Sequence, residues 1–386
     1  MPAGGRRPTD QVWMRRALAL AARGLGRTFP NPPVGAVLVR GGRVVGEGFH
    51  ARTGSPHAEI NAIRAARGRV RGAELFVTLE PCSHHGRTPP CVEALLGLGL
   101  RRVVVGVHDP NPRVRGRGIR RLRRAGIPVT IGVEAEAARE LLAGFRSRVL
   151  RGRPLVTLKL AVTLDGRIAA AGGDARWISG PAARRLAHRL RGVSDAVLVG
   201  AGTVRADDPR LTCRIAGGHD PLRIVLAGRD LALPPRARVL ARGGPPTLVI
   251  APFGARPDRV AALGRCGVEV LLLPGRGGRI SFERVVRALG ARGLTTLLVE
   301  GGGTVAADAL RAGVVDRVVL FLAPSFLGAD GVAAVGPLGV RRAANAFRLG
   351  PMTVQRIGGD LVLEGQPHRR RRAARAAPFA SYGGAR

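Results

Sequence analysis

One histidine, one glutamate and two cysteines constrain this chain more than any other feature. They occur as His57-Ala58-Glu59, then Pro81-Cys82 22 residues later, then Cys91. Histidine and cysteine are typical Zn²⁺ ligands, and three protein ligands leave the fourth tetrahedral position open for water, as a catalytic zinc requires. Zinc makes hydroxide from that water at neutral pH, and a nearby carboxylate that is not a ligand moves the protons. The motif predicts a zinc-dependent hydrolytic deaminase with the metal on His57, Cys82 and Cys91 and with Glu59 as the catalytic residue.

The spacing of the two cysteines departs from the usual zinc-deaminase pattern, in which His-x-Glu is followed by Pro-Cys-x-x-Cys. Here eight residues, 83 to 90, separate the cysteines. Pro89 and Pro90 end any helix that starts at the first cysteine, and Pro90 suits the position just before a new helix. We therefore expect the second cysteine to begin a helix, and the intervening polar loop, with His84, to contact the substrate.

The surrounding pattern helps to decide between a metal site and two ordinary buried cysteines, which are common in reducing compartments. Residues 34–39 and 75–79 have the pattern of buried strands, and residues 58–67 that of a helix beginning at the histidine. This context favours the metal site. Cys213 and Cys266 are isolated in the sequence and are interpreted as core or surface thiols.

A length of 386 residues favours two domains, each able to bury its own core. In residues 1–150, strand and helix patterns alternate and end in a helix over 134–149, which predicts an α/β layer with a parallel-type sheet. Residues 151–365 restart the alternation after a glycine- and proline-containing linker. Residues 366–386 are predicted to be an arginine-rich disordered tail. Four cysteines, no signal peptide and no long apolar run predict a soluble, cytoplasmic protein without a membrane partner.

The formal charge of +37 invites the interpretation that the partner is a nucleic acid. Of the 63 basic residues, however, Lys159 is the single lysine, and the abundance of arginine, alanine, glycine and proline is typical of GC-rich coding sequence. Aromatic residues amount to only 3%, so few side chains can stack on bases. We therefore expect no specific nucleic-acid partner. A nucleic-acid deaminase stays an alternative, although it leaves residues 154–364 unexplained and predicts a short Cys-x-x-Cys.

Acidic residues and a glycine run mark the predicted strand ends of the second half. Asp165, Asp207 and Glu300 follow strand patterns, and sites of α/β sheets collect at strand ends. The run Glu300-Gly301-Gly302-Gly303-Thr304 opens a predicted helix, and such a turn lets backbone N–H groups approach phosphate oxygens. It matches neither the dinucleotide fingerprint nor a Walker loop. The pattern favours a second, nucleotide-type site, with a simple tight turn as the alternative.

Taken together, the motifs resemble those of the bacterial bifunctional riboflavin-biosynthesis proteins. The first half carries residues 28–35, His57-Ala58-Glu59, residues 80–91 and His108-Asp109-Pro110-Asn111-Pro112, and the second carries residues 159–166, Trp177-Ile178-Ser179, residues 200–209 and Glu300-Gly301-Gly302. The long loop between the cysteines separates this family from other zinc deaminases. A relative with one decayed site is a further alternative, and the intact ligands with Glu59 argue against decay of the first site.

The resemblance implies a fold and two reactions. The fold is a cytidine-deaminase-like α/β/α layer followed by a dihydrofolate-reductase-like α/β domain. The reactions are hydrolytic deamination of 2,5-diamino-6-(5-phosphoribosylamino)pyrimidin-4(3H)-one, then reduction of the ribosyl group to give 5-amino-6-(5-phosphoribitylamino)uracil. The implied cofactors are Zn²⁺ and NADPH, the implied substrate is a small pyrimidine nucleotide, and the implied assembly is a homo-oligomer, a dimer or tetramer.

The resemblance also implies roles for individual residues. In the first half, Asn31 and His84 would contact the substrate. In the second half, the NADPH contacts would be Ala161, Trp177, Thr203, Asp207, Gly302, Gly303 and Thr304, and the substrate contacts would be Arg191, Leu211, Arg214 and Glu300. Arginine at the substrate site suits the 5′-phosphate of the substrate, because the paired N–H donors of a guanidinium match two phosphate oxygens. Ala175 stands where some relatives carry serine, which removes one side-chain hydrogen bond.

Lys159 stands apart from every other basic residue. A chain that otherwise uses arginine keeps this one lysine on a predicted strand beside the second site. A compact ammonium whose pKa can move suits donation to a ribose oxygen better than a guanidinium does. We therefore expect Lys159 to contact the ribose or to assist its ring opening.

Overall fold

The first half of the chain builds a five-stranded sheet with helices on both faces. The computed structural model describes residues 9–83 and 89–368. The strands are β1 Gly35–Arg40, β2 Arg43–Phe49, β3 Glu74–Leu79, β4 Arg102–Val107 and β5 Val129–Ile131, in the order β2-β1-β3-β4-β5. The helices are α1 Asp10–Ala22, α2 Ala58–Ala66, α3 Cys91–Leu95, α4 Arg117–Arg124, α5 Ala135–Leu141 and α6 Ala143–Arg151.

Alternate residues of the central strands enter two separate cores. Val37 and Phe76 pack with Met14 of α1 on one face of the sheet. Leu38 and Leu75 pack with the alanines of α2 on the other face. Because both faces are buried, these strands are continuously apolar, which is the pattern that predicted them. The arrangement is the α/β/α layer that the resemblance implied.

The first sheet is mixed, so the prediction of a parallel-type sheet is wrong for β1 and β2. Strands β3, β4 and β5 are parallel, but β1 runs antiparallel to both β2 and β3. The turn between β1 and β2 consists of Gly41 and Gly42, whose φ angles are 58° and 75°. A two-residue turn with both residues in the left-handed region makes a tight antiparallel hairpin, and no crossover helix is needed.

Strand β2 escaped prediction because Gly46 and Gly48 interrupt its apolar pattern. Both glycines lie under α2. A Cβ atom would lie 2.2 Å from the Ala62 carbonyl oxygen at Gly46, and 2.7 Å from the Ala58 carbonyl oxygen at Gly48. The glycines therefore permit a close approach of helix to sheet, which fixes the height of the α2 N-terminus above the strands.

The predicted helix over residues 134–149 is two helices, α5 and α6, which meet at Leu142 (φ −91°, ψ 6°). After α6 the chain enters the second half through a buried ionic contact. The Asp316 carboxylate accepts hydrogen bonds from Arg151 Nη1 (2.6 Å), Arg153 Nη1 (2.6 Å) and the Val156 N–H (3.0 Å). This carboxylate fixes the start of the second sheet against the end of α6.

The second half is built on a nine-stranded sheet within the described residues. Its nine strands are β6 Leu155–Thr163, β8 Ala196–Gly200, β9 Leu222–Leu226, β10 Thr247–Pro252, β11 Glu269–Leu273, β12 Thr296–Val299, β13 Arg317–Ala323, β15 Leu349–Ile357 and β16 Asp360–Pro367. A separate two-stranded sheet consists of β7 Arg167–Ala169 and β14 Val332–Ala333. The helices are α7 Pro181–Gly192, α8 Ala201–Asp207, α9 Pro257–Arg265, α10 Phe282–Ala291 and α11 Gly303–Arg311. The order in the large sheet is β11-β10-β9-β8-β12-β6-β13-β16-β15.

Seven neighbouring strands of this sheet, from β11 to β13, are parallel, and β16 and β15 are antiparallel additions at one edge. The carboxyl ends of β6, β8, β9 and β12 therefore lie side by side at the same end of the sheet. Ligand sites of α/β proteins form at the carboxyl ends of the strands. Asp195, 3% exposed, locks β8 to β12, because its Oδ2 accepts the N–H groups of Thr295 (2.6 Å) and Thr296 (2.9 Å).

Strand β16 extends to Pro367, two residues beyond the predicted end of the second domain. Most of the predicted arginine-rich tail, residues 369–386, lies outside the described residues. Across the described ranges, none of the helices has both the length and the apolar composition needed to span a membrane.

Candidate active sites

The three predicted zinc ligands lie together although they come from three places in the fold. His57 is the N-cap residue of α2, Cys82 follows β3, and Cys91 is the first residue of α3, directly after Pro90 as predicted. The Nδ1 atom of His57 lies 3.0 Å from Cys91 Sγ and 3.6 Å from Cys82 Sγ. All three ligand atoms lie within 4.8 Å of one another.

This donor set fits a zinc ion. Zinc bonds of about 2.0 Å to nitrogen and about 2.3 Å to sulfur, at tetrahedral angles, separate the two ligand atoms by roughly 3.5 Å. The separations of 3.0 and 3.6 Å are close to that value. The backbone N–H of Cys91 donates to Cys82 Sγ at 3.2 Å, a contact that supports a thiolate there. One imidazole and two sulfurs would hold zinc and leave a position open.

Glu59 lies in the first turn of α2 and is only 3% exposed. Burial raises the pKa of Glu59 to about 7, and the charge of Cys82 contributes to the rise. The hydrogen bond from Cys91 lowers the pKa of the Cys82 thiol to about 4, against the opposing effect of burial. The site therefore combines a sulfur that readily ionises with a buried carboxyl group suited to proton transfer near neutral pH.

Asn31 lies beside His50, a residue that sequence reasoning missed. The Asn31 Nδ2 atom is 3.2 Å from His50 Nε2, and the His50 ring packs edge-on against His57 with 5.3 Å between ring centroids. His50 is 2% exposed, and burial lowers its pKa. His50 directly follows β2, so the failure to predict that strand removed the signal that would have placed this histidine at the site. The other predicted substrate contact, His84, lies outside the described residues.

The second predicted site is a cavity of about 780 Å³ at the carboxyl ends of the parallel strands. Most of the predicted residues line it, namely Lys159, Ala161, Arg191, Thr203, Asp207, Leu211, Glu300, Gly302, Gly303 and Thr304. They come from strands that are distant in the sequence, and the parallel pairing brings their ends together. A cavity of this size is typical of small-molecule and cofactor sites.

Trp177 and Arg214 are not among the residues that line this cavity. Trp177 is 67% exposed, and the Arg184 guanidinium stacks on its ring at 4.5 Å from the centroid. Arg214 is exposed, and its backbone N–H donates to His188 Nδ1 at 3.4 Å. The contacts of these two residues with NADPH and substrate stay predictions, as do those of the predicted residues that line the cavity.

Three charged residues meet at the inner end of the cavity. Arg191 binds Glu300 through two hydrogen bonds, Nε to Oε1 at 2.9 Å and Nη2 to Oε2 at 2.7 Å, with side chains 13% and 8% exposed. The Lys159 ammonium lies 5.2 Å from the Phe321 ring centroid, and burial lowers its pKa although Glu300 opposes the change. Burial alone would raise the pKa of Glu300, but Arg191 and Lys159 outweigh it and lower the pKa to about 2.

The glycine run fits the phosphates of a dinucleotide. Helix α11 begins at Gly303, and its N-cap residue Gly302 has no side chain that would cap it. A Cβ atom at Gly302 would meet only Thr203 Oγ1 within 4 Å, at 3.6 Å, so this side of Gly302 is open apart from that hydroxyl. The Gly302 N–H donates to that hydroxyl at 3.2 Å, which ties the start of α11 to helix α8. Unpaired N–H groups at such a helix start attract phosphate.

Arg205 and Arg279 also line the cavity and were not predicted. Arg279 pairs with Asp308 at 3.0 Å, and Arg205 Nη1 donates to the Ala232 carbonyl oxygen at 2.9 Å. In a chain with so many arginines, these two carried no distinguishing signal in the sequence. Only their position in the fold brings them to the cavity.

Comparison with known proteins identifies both halves. Residues 7–107 match the cytidine and deoxycytidylate deaminase zinc-binding region, and residues 154–363 match the RibD C-terminal domain. The riboflavin biosynthesis protein RibD of Aquifex aeolicus is 41% identical over 92% of this chain and 98% of its own length. The RibD of Escherichia coli is 39% identical over 92% and 98%.

The chain belongs to the RibD family. Among solved structures, RibD of Acinetobacter baumannii superposes with a TM-score of 0.83 at 37% identity, covering 93% of this chain and 99% of its own. A diaminohydroxyphosphoribosylaminopyrimidine deaminase/5-amino-6-(5-phosphoribosylamino)uracil reductase of Thermotoga maritima gives 0.82 at 38%, with coverage of 93% and 99%.

As a RibD protein, the chain is a bifunctional enzyme of riboflavin biosynthesis with a deaminase domain and a reductase domain. The cofactors are zinc in the first domain and NADPH in the second. The predicted fold class, enzyme class and cofactors are thereby confirmed.

The Glu300 cluster of this RibD chain predicts a specific pH dependence. Because the folded-state pKa of Glu300 is lowered from 4.5 to about 2, its contribution to stability is fully present above its ordinary pKa and is lost as pH falls towards 2. One pKa unit corresponds to about 1.36 kcal/mol, so this contribution amounts to roughly 3 kcal/mol. The difference in Tm between the wild type and Glu300→Gln should be constant from about pH 8 to about pH 5 and should shrink below about pH 4.5.

Thermal unfolding followed by circular dichroism at each pH measures this difference. Glu283→Gln, at an exposed position of α10 that pairs with Arg287, is the matched control and should show a small difference at every pH. A Glu300→Gln difference that stays constant down to pH 3 would contradict the assigned pKa.

Proposed function

We propose that the chain deaminates 2,5-diamino-6-(5-phosphoribosylamino)pyrimidin-4(3H)-one and then reduces the ribosyl group of the product to give 5-amino-6-(5-phosphoribitylamino)uracil. The observation that carries the proposal is the meeting of His57, Cys82 and Cys91 beside the buried Glu59, in a chain whose other half holds the cavity lined by Lys159. The name of the Thermotoga maritima relative, a diaminohydroxyphosphoribosylaminopyrimidine deaminase/5-amino-6-(5-phosphoribosylamino)uracil reductase, supports this pair of reactions. The curated RibD relatives support a role in riboflavin biosynthesis.

In the deaminase domain, His57, Cys82 and Cys91 would hold zinc. The chemistry that bound zinc supplies is a lower pKa of the attacking water, towards about 7. Glu59 would take a proton from that water and deliver it to the pyrimidine nitrogen, while the hydroxide adds to the ring carbon. Glu59 would then pass a second proton, from the added hydroxyl group, to the amino group, which leaves as ammonia as the carbonyl forms. Asn31, whose amide contacts His50, would hydrogen-bond the edge of the pyrimidine ring. Because the thiols must stay reduced to bind metal, we also propose a cytoplasmic location.

In the reductase domain, NADPH supplies the hydride. The backbone of Gly302 and Gly303 and the start of α11 would bind its phosphates, with Thr203 of α8 fixing the turn between β12 and α11. This leaves the inner end of the cavity, with Lys159 and the Arg191–Glu300 pair, for the ribosyl phosphate of the substrate. The protein's main contribution there is to position the ribosyl carbon against the cofactor.

The assay that tests the proposal supplies the diaminopyrimidine phosphate with and without NADPH, and follows ammonia release and NADPH oxidation.

In the Glu59→Gln variant, ammonia release should fall by roughly 10²–10⁴-fold, because the proton carrier is lost. NADPH oxidation with the deaminated intermediate supplied directly should be unchanged, and so should zinc content. Glu47→Gln, at a partly exposed carboxylate on β2 that pairs with Arg16, is the control. Normal ammonia release by Glu59→Gln would refute its role, and ammonia release without NADPH oxidation in the wild type would refute the bifunctional proposal.

Lys159 provides a separate test of the reductase site. The Lys159→Arg variant should lose about 10²-fold in reductase kcat with little change in deamination, because a guanidinium cannot donate from the same compact position. Steady-state NADPH oxidation on the deaminated intermediate measures this effect. Arg185→Lys, the reverse exchange at an exposed position of α7, is the matched control and should leave both activities unchanged. Full reductase turnover by Lys159→Arg would remove the lysine from the mechanism.

We propose that the chain forms a homo-oligomer, a dimer or tetramer, through the reductase domain. Strand β15 is the edge strand of the large sheet, and the exposed apolar residues Phe347, Met352, Val354 and Leu361 lie on or beside it. A long exposed edge with apolar side chains favours pairing with another chain. Light scattering should give a multiple of 40.4 kDa for the wild type and a smaller mass for Val354→Lys. Val12→Lys, at an exposed position of α1, is the control. A monomeric wild type would refute the proposal.

A further inference from the structure

The Glu80 carboxylate of the deaminase domain has five hydrogen-bond partners among the described residues, and the mechanism above does not use it. It stands between the end of β3 and Cys82, and its backbone N–H donates to the Val107 carbonyl oxygen at 2.9 Å, one step beyond the β3–β4 pairing. Its side chain has no exposed surface. A carboxylate buried this completely requires several donors.

The donors of Glu80 come from one distant segment, residues 108–119. Its Oε2 atom accepts the N–H groups of Asp109 (3.2 Å) and Gly116 (2.9 Å), and its Oε1 atom accepts those of Gly118 (3.0 Å) and Ile119 (3.4 Å). The His108 Nδ1 atom lies 3.2 Å from Oε2. One side chain thus holds the whole connection between β4 and α4.

Two of these donors are the first free N–H groups of helix α4. The N-cap residue of α4 is Gly116, which has no side chain to cap the helix, and Gly118 and Ile119 occupy the second and third helical positions. Ordinarily a side chain of the N-cap residue accepts the N–H at these positions. Glu80 performs that task from the position directly after β3, and its negative charge also suits the positive end of the helix dipole.

The same cap presses α4 against the peptide that leads into the metal site. A Cβ atom at Gly118 would lie 2.1 Å from the Pro81 carbonyl oxygen, so the first turn of α4 touches the backbone directly before Cys82. On the other side, the Cys82 carbonyl oxygen accepts the Val92 N–H at 3.2 Å. Cys82 is therefore held between α4, through Glu80 and Pro81, and the start of α3.

We propose that Glu80 is a positioning residue of the metal site: it caps α4 and thereby fixes Cys82 at ligand distance from His57 and Cys91. This inference rests on the proposed zinc ligand set. Outer contacts of this kind typically change metal affinity or activity by about 10–100-fold. The replacement Glu80→Gln keeps the size of the side chain but exchanges one acceptor oxygen for an NH₂ group, which would face backbone N–H donors.

The test uses the full-length chain, and zinc affinity is measured by competition with a chromophoric chelator. We expect zinc to bind Glu80→Gln about 10–100-fold more weakly. With Co²⁺ in place of zinc, the visible absorption bands, which report ligand geometry, should shift, and deaminase kcat should fall more than KM rises. Reductase turnover, from the other half of the same chain, should be unchanged, and the thermal transition of the deaminase domain reports whether that half is folded.

Two further variants make the test decisive. Gly118→Ala pushes a Cβ atom into the Pro81 carbonyl from the α4 side and should give the same shift of the Co²⁺ spectrum. Glu93→Gln, at a partly exposed carboxylate of α3 that pairs with Arg121, is the control and should behave as the wild type.

Wild-type zinc affinity and Co²⁺ spectrum in Glu80→Gln would overturn the positioning role. So would loss of the deaminase domain's thermal transition in both variants, since Glu80 would then be a folding residue only. If the wild-type chain itself binds neither zinc nor Co²⁺, the proposed ligand set fails, and that outcome is distinct from either of these.

Discussion

The close contact of helix with strand is the constraint on which the deaminase domain depends. Its ligands come from the start of α2, the end of β3 and the start of α3, so a small shift of any one element would separate them. Glycines set the distance: a Cβ atom at Gly35 would lie 2.0 Å from the Ala17 carbonyl oxygen of α1, and Gly46 and Gly48 do the same under α2. Such packing tolerates no side chain, and it holds His57 at a fixed height above the sheet.

In the reductase domain, strand direction and charge position the residues of the site. Parallel pairing gathers the ends of β6, β8, β9 and β12, and the cavity forms where they meet. Removing charges from water is costly, and that cost is offset here by the two-point contact of Arg191 with Glu300. The cluster therefore places two basic side chains and one carboxylate at the inner end of the cavity.

The sequence predicted residues whose chemistry is unusual and missed residues whose importance is geometric. His57, Glu59 and the two cysteines were found because that combination is rare, and the parallel strands were found because they are continuously apolar. His50, Arg205 and Glu80 were missed as site residues for other reasons. His50 could be assigned to the site only if β2 were recognised, and the glycines of β2 obscure its strand pattern. Arg205 is one arginine among many. Glu80 acquires its role from N–H groups of residues 109–119, which no local sequence pattern reveals.

The arginine-rich composition sharpens the significance of the single lysine. Carboxylates are outnumbered here, and Asp308, Asp316 and Glu74 each pair with two arginines. At Glu300 both oxygens are already engaged by Arg191, so a second guanidinium would find no matching pair of acceptors. An ammonium does not need two matched acceptor oxygens, because it acts as a compact charge with three rotatable donors. The ammonium lies 5.2 Å from the Phe321 ring centroid, and Lys159 lines the cavity, so a compact donor is the chemical difference that arginine could not supply at this position.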